Sequence, residues 1–273
     1  QPHGEPINRC IDYVLSCQRE NGYIKARKGK DRGMYSHNIA TLFLSEVSGM
    51  VNPKRQEKLD VALPKALKVI IAAQNIKKNK RHAGGWRYKP NSRDSDMSCS
   101  GWALMALRSA RLNGARIPDE NIERAVDYVL GTQNQKSGGF GYQRPGQARI
   151  SLTGAGVLCL ELSGYHGTEA MKKAERYMMN HYKKIPGQWE SYSLYYNSQA
   201  AFQLGGKLWE DFAEWMYERY LKKQQADGSW PANQRVCSSY HTAMKILSFT
   251  VPYRQLPIYQ RDETVDEDPY AED

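Results

Sequence analysis

The sequence predicts an all-α protein, an α/α toroid of about five helical hairpins in which an outer ring of half-wet helices encloses an inner ring of dry ones. Three observations predict it. Five segments repeat one plan: an amphipathic stretch, a glycine-plus-aromatic turn, then a small-residue apolar stretch that closes near Gly. Within a pair the first stretch sets apolar residues at helical spacing between charges, whereas the second is apolar nearly all round and must be buried on most faces. Strand-like alternation is scarce.

The first repeat pairs Cys10 to Ile24 with Ser36 to Gly49. The second pairs Ala62 to Gln74 with Ser100 to Gly114, across the turn Gly84 to Tyr88. In the third, Ile122, Ala125, Val126, Val129 and Leu130 stand against Glu123, Arg124 and Asp127, a helix wet on one side. Its turn, Gly138 to Tyr142, leads into the small apolar run Leu152 to Gly164. The fourth, a weaker match, joins Thr168 to Tyr182 with Leu194 to Gly206 through Pro186 to Trp189. The fifth joins Leu208 to Gln225 with Ser238 to Phe249 through Asp227 to Trp230. The turn aromatics Tyr23, Trp86, Phe140, Trp189 and Trp230 fall 63, 54, 49 and 41 residues apart, the drift expected of hairpins with variable loops. Gln74 and Gln133 are placed to bond across their turns, and the glycines beside them permit the positive φ a helix end needs. After the fifth repeat, Pro252 and Pro257 mark residues 250–261 as extended; that segment or a partner subunit would close the ring, so an oligomer stays open.

Composition excludes several classes. At 40% hydrophobic and 25% charged the 273-residue chain is globular material, and no run approaches the ~20 apolar residues of a membrane span. Five Cys is an odd count, and four lie in helix-like patterns, which argues against a disulfide scaffold. The net charge of +10 divides into a body, residues 1–261, at +17 and a tail, residues 262–273, with seven acids and no base. The body reads as one toroid domain and the tail as disordered. Basic runs at Lys25 to Arg32 and Lys77 to His82 lie in loops of adjacent hairpins, a patch fit for an anionic surface or an acidic partner. No nucleic-acid reading motif accompanies them. The chain begins at Gln1 with no initiator Met and no apolar leader, the mark of a trimmed front, which leaves the compartment open between export and cytoplasm.

The starts of the predicted inner helices collect polar and aromatic side chains: Tyr35 and His37, then Asp96, Ser98 and Trp102, then Arg149 and Ser151, then Tyr195 and Tyr196, then Tyr240 and His241. Helix N-termini carry positive partial charge, so such a rim suits an anion or a polyol. Polar residues also begin helices near solvent for no further reason, and Asp94 or Asp96 can simply cap its helix.

Gln, a short polar run and Gly-Gly-Trp or Gly-Gly-Phe resembles the QW-like repeat of squalene and oxidosqualene cyclases and of protein prenyltransferase β subunits, over most of residues 8–249. The resemblance implies a toroid whose central cavity takes isoprenoid chains. The cyclases protonate an alkene or epoxide from the D-x-D-D-T-A run; here Asp94-Ser95-Asp96-Met97-Ser98-Cys99 keeps two acids, replaces the third by Met97, and aligns Asp96 with the proton donor. The prenyltransferases hold Zn²⁺ through Asp, Cys and the His of a Tyr-His-Thr run. Tyr240-His241-Thr242 matches that run, but the preceding inner helix lacks Asp and Cys, so no metal or cofactor is expected; Cys237 and His241, with His37 at the start of another inner helix, are the weak candidates for an improvised site. The expectation is therefore a terpenoid cyclase-like or prenyltransferase-like toroid that binds an apolar small molecule, with acid-initiated cyclisation at Asp96 and Asp94 if it is an enzyme. His37, Tyr35, Trp102, Ser151, Tyr195, Tyr196, Tyr240 and His241 are the candidate ligand contacts. The competing expectation is a non-catalytic binding or scaffold module using the rim and the basic loops.

Overall fold

Helix signals along the chain resolve into ten α-helices in a computed structural model that describes residues 3–28, 31–187, 189–231 and 237–253. In order they are α1 (Gly4–Ser16), α2 (Met34–Val47), α3 (Pro53–Asn75), α4 (Met97–Leu112), α5 (Asp119–Gly131), α6 (Ile150–Glu161), α7 (Glu169–His181), α8 (Glu190–Leu204), α9 (Gly206–Tyr220) and α10 (Ser238–Phe249). Odd-numbered helices are the half-wet members of the five predicted hairpins and even-numbered ones the drier members. Among the described residues no strand forms, only isolated bridges at Gln18 with Ile24 and Gln133 with Phe140, and no helix is long and apolar enough to cross a membrane. The acidic tail at 262–273 and the part of the closing segment beyond 253 lie outside the described residues.

The chain divides after Gly131 into two compact units. In the first, α2 packs along α4, with α1 and α3 against each other and α5 against α4. Thirteen of the sixteen residues of α4 are buried, which is why its run from Ala103 to Leu107 carries no charge. In the second unit α8 packs against both α6 and α10, and α7 and α9 cover the outer side of this layer. Ten of the twelve residues of α6 are buried, including Gly154 and Gly156, whose missing side chains admit close neighbours.

One hydrogen-bond scheme recurs through the hairpins. The amide of Gln18, Gln74 and Gln133 donates into its own turn, to Gly22 O (3.1 Å), Gly84 O (2.8 Å) and Gly138 O (3.0 Å). The same nitrogen donates to the next half-wet helix, to Ala62 O, Asn121 O and Ala170 O, each at 2.8 Å. Each glutamine thus stitches one hairpin to the following one while satisfying carbonyls that burial would otherwise orphan. Gly84 and Gly138 hold φ of 83° and 82°, and a Cβ on either would meet the backbone carbonyl of Arg124 or Lys173, so these two positions admit no side chain. The turn aromatic folds back onto its own helix: the indole N–H of Trp86 reaches Ile70 O (2.8 Å) and that of Trp230 reaches Tyr220 O (2.9 Å). Its backbone N–H is taken by a side chain in the first turn of the dry helix, Ser100 for Trp86, Thr153 for Phe140 and Thr242 for Trp230.

The structure corrects four points of the repeat as read from sequence. In the first hairpin the turn residue is Ile24, not Tyr23: Ile24 is buried and its N–H is bonded to His37 Nδ1 (3.0 Å). Tyr23 directly follows Gly22 and stands where the other clamped turns have Gly85, Gly139 and Ser229, so the core position passes to the next residue. In the fourth hairpin Trp189 is 55% exposed and sits at the N-cap of α8 rather than in a clamp. Helix α3 begins nine residues before Ala62, because Asn52 caps it (Arg55 N–H to Oδ1, 3.0 Å) and Pro53 occupies the first turn, where a missing N–H costs nothing. Residues Val251–Tyr253 form a 3₁₀ turn instead of extended chain, since Pro252 at its start has the fixed φ such a turn needs.

Candidate functional site

In the first unit a polar cluster forms where the chain enters α4. Asp96 is the N-cap of that helix: its Oδ1 accepts the backbone N–H of Cys99 (2.9 Å) and the hydroxyl of Ser98 (2.5 Å). Its Oδ2 accepts from Arg87 Nη1 (2.9 Å). Arg87 bridges two acids, its Nε lying 3.2 Å from Asp94, which is nearly half exposed whereas Asp96 is wholly buried. The hydroxyl of Tyr35, from the first turn of α2, bonds Ser98, and its ring stacks on Tyr88 at 5.7 Å with Arg87 over the other ring's face at 4.2 Å. Burial raises the pKa of Asp96 against the opposing pull of Ser98, the Cys99 N–H and Arg87. Burial also raises Tyr35, with the nearby Asp96 carboxyl adding to it, so the phenol stays protonated. The cluster is a dry carboxyl with a hydroxyl relay leading away from it.

The second unit holds another cluster, between the first turns of α8 and α10. His241 Nδ1 lies 2.5 Å from Ser191 Oγ. Lys245, one turn further along α10 and 3% exposed, donates to the same Ser191 oxygen (3.2 Å), stands 3.8 Å from Glu190 and lies over the ring of Tyr220. Tyr220 donates to the other Glu190 oxygen (3.0 Å). Burial depresses Lys245, with Glu190 opposing, and depresses His241, with Lys245 adding to the effect.

The remaining candidates fall on either side of this division. His37 is wholly buried and uses both ring nitrogens, Nδ1 on Ile24 N–H and Nε2 on Ala66 O (3.1 Å), and burial drives it down to about 4. It takes the place held by Ser100, Thr153 and Thr242 in the other hairpins, and so is a neutral turn-holder with no nitrogen left for a ligand. Trp102 is buried within α4, and Ser151 is half-buried in the first turn of α6. Tyr195 and Tyr196 are buried on α8 with rings edge to face at 5.1 Å, and Tyr192 packs on Tyr196 at 4.8 Å. Tyr240 is half-buried beside His241, its phenol pushed up to about 12 by burial. Cys237 is exposed at the N-cap of α10, and among the described residues no three His, Cys, Asp or Glu side chains group as a metal site would require. The sequence reading missed Arg87, Ser191, Glu190, Tyr220 and Lys245. A lysine at 245 inside an otherwise apolar run, four residues after His241, is the one signal that pointed to a buried charge.

No family model matches the chain, and no curated protein matches it. Among solved structures, it is similar to an arginine-to-alanine variant of the type II terpene cyclase MstE from Scytonema in complex with geranylgeranyl dihydroxybenzoate as substrate, with a TM-score of 0.58 and 15% identity over 89% of this chain and 71% of that one. Apo MstE superposes with a TM-score of 0.42 and 13% identity over 92% of this chain and 99% of that one. At such identity the likeness shows the fold: the chain shares the helical toroid fold of a type II terpene cyclase.

Proposed function

We propose that the protein binds an apolar, isoprenoid-like molecule and isomerises it in the manner of a terpenoid cyclase, with Asp96 as the acid. The observation that carries this is the buried carboxyl of Asp96, raised by burial and joined through Ser98 to Tyr35. The shared fold with a cyclase that holds a prenylated substrate supports the choice of ligand. The protonated carboxyl would give its proton to a substrate alkene: the O–H bond breaks, a C–H bond forms, and a carbocation remains for the chain to close upon. Loss of a proton from the cyclised cation balances the reaction as an isomerisation. Arg87 has to release Oδ2 for that oxygen to carry a proton, and Asp94, already on the guanidinium Nε, is the group able to keep it; Asp94 is then a positioning residue.

A second reading rests on the same contacts. Every oxygen of Asp96 is engaged by its own helix or by Arg87, as expected of a structural cap in a non-catalytic binding module. The test is Asp96→Asn, which keeps a capping side chain. With geranylgeranyl dihydroxybenzoate and squalene as trial substrates, the acid role requires turnover by the natural chain and a fall of about a hundredfold or more in the variant, its circular dichroism and cooperative melting being retained. Equal turnover by the two proteins rejects the acid role. Binding without product by both supports the module.

A further inference from the structure

We propose that the first turns of α8 and α10 form a binding site for an oxyanion, a carboxylate or a phosphate, with the Nε2–H of His241 as its central donor. The proton inventory of the cluster leads there. Lys245 brings only donors, and one of them points at Ser191 Oγ (3.2 Å). Tyr220 donates to Glu190, whose second oxygen faces Lys245. The Ser191 hydroxyl has two lone pairs and one proton, and among the described residues the one acceptor that proton meets is His241 Nδ1, 2.5 Å away, so Ser191 donates there; with burial and Lys245 lowering this imidazole's pKa, the ring's own proton resides on Nε2. His241 is 6% exposed, and that Nε2 has no hydrogen-bond partner. Proteins seldom leave a buried N–H unmet, because the group has given up water and received nothing in return.

The surroundings say what would meet it. Both helices begin without a hydrogen bond from their N-cap side chains, Trp189 and Cys237, so two positive helix ends flank the imidazole. Lys245 and Lys223 add charge around Tyr220, with their ammonium groups 4.8 and 5.2 Å from its ring, and Glu190 is already taken by Tyr220 and Lys245. A ligand atom at Nε2 thus meets donors and positive potential, which selects an acceptor bearing negative charge. The oxyanion is either the head group of the isoprenoid-like molecule proposed above or a free small anion. Only the first source rests on that reading.

Both sources are separable on the 273-residue chain. Long-range ¹H–¹⁵N spectra of the histidine rings report the tautomer of His241, and titrations with sodium benzoate, sodium phosphate, geranylgeranoic acid and geranylgeraniol report the ligand. The expected results are an Nε2–H tautomer, a shift of the Nε2 resonance with at least one oxyanion, and geranylgeranoic acid binding at least about tenfold tighter than the alcohol. His241→Leu should erase that preference, and Ser191→Ala, the milder change, should weaken it and loosen the tautomer. An Nδ1–H tautomer, an Nε2 resonance that no oxyanion moves, or a preference that survives His241→Leu would each overturn the proposal. Equal binding of acid and alcohol, where benzoate and phosphate also leave Nε2 unmoved, overturns it as well. Benzoate or phosphate moving Nε2 while neither isoprenoid binds upholds the oxyanion site and removes the isoprenoid reading.

Discussion

Replacing Gln74 by Leu tests whether the recurrent glutamine holds adjacent hairpins together. The side chain is 2% exposed and takes part in three short bonds: Nε2 to Gly84 O and to Asn121 O, both 2.8 Å, and Oε1 from Asn121 Nδ2 at 2.6 Å. Leucine has nearly the same volume and none of the polar atoms. Three buried hydrogen bonds at about 1 kcal/mol net each amount to roughly 3 kcal/mol. The orphaned carbonyls and the Asn121 amide add about 1 kcal/mol, and the extra apolar burial of leucine returns a similar amount. The expected loss is about 3 kcal/mol, which for a chain of this size lowers the melting temperature by roughly 6–12 °C. Circular dichroism at 222 nm and urea titration measure both quantities. Gln18→Leu, with the same two donations from a partly buried site, should cost about half as much. A fall under about 2 °C for Gln74→Leu, or a larger one for Gln18→Leu, would refute the clamp as the source of hairpin-to-hairpin stability.

Other expectations follow from the same contacts. His37 stays neutral in the fold down to about 4, whereas an unfolded chain protonates it below about 6.5, so its depressed pKa contributes stability above pH 6.5 that is lost as the pH falls toward 4, by up to about 3 kcal/mol. His37→Thr, copying Thr153 and Thr242, should flatten the urea midpoint between pH 7 and 4.5 relative to the natural chain; an unchanged slope would show that the lability lies elsewhere. Gly156→Ala sets a Cβ 2.6 Å from the Phe140 ring and should cost about 1–3 kcal/mol in chemical denaturation. Gly131→Ala, exposed at the end of α5 with nothing within 4 Å, should be neutral or stabilising by up to about 1 kcal/mol, and the opposite order would contradict the packing described for α6.

The alternation of half-wet and dry helices was legible because it is a one-dimensional signal. Apolar spacing in residues 119–131 and its absence in 150–161 are read along the chain with no knowledge of neighbours, and each became a helix of the expected kind. Turn chemistry was legible in part. A glycine two residues before an aromatic marked the turns at Trp86, Phe140 and Trp230, but where the aromatic follows the glycine at once the pattern promoted Tyr23 over Ile24, because a residue's place in a turn is set by the backbone partner it meets. Trp189 shows the same limit, being aromatic, next to a glycine-containing turn, and exposed.

Asp96, Tyr35 and His241 could be singled out by residue type and position, since polar groups at the head of an apolar helix are few. Their roles could not be. Asp96 meets Arg87 nine residues upstream, and His241 meets Ser191 fifty residues upstream, and nothing local in either segment announces its partner. By itself the sequence determined the number and order of the hairpins and which helices are dry, because hydrophobic burial acts through periodicity, a property of short segments. Only the tertiary structure decided that Gln74 bonds the next hairpin, that His37 has no nitrogen to spare and that His241 has one, because hydrogen bonds and desolvation depend on distances between residues far apart in the chain.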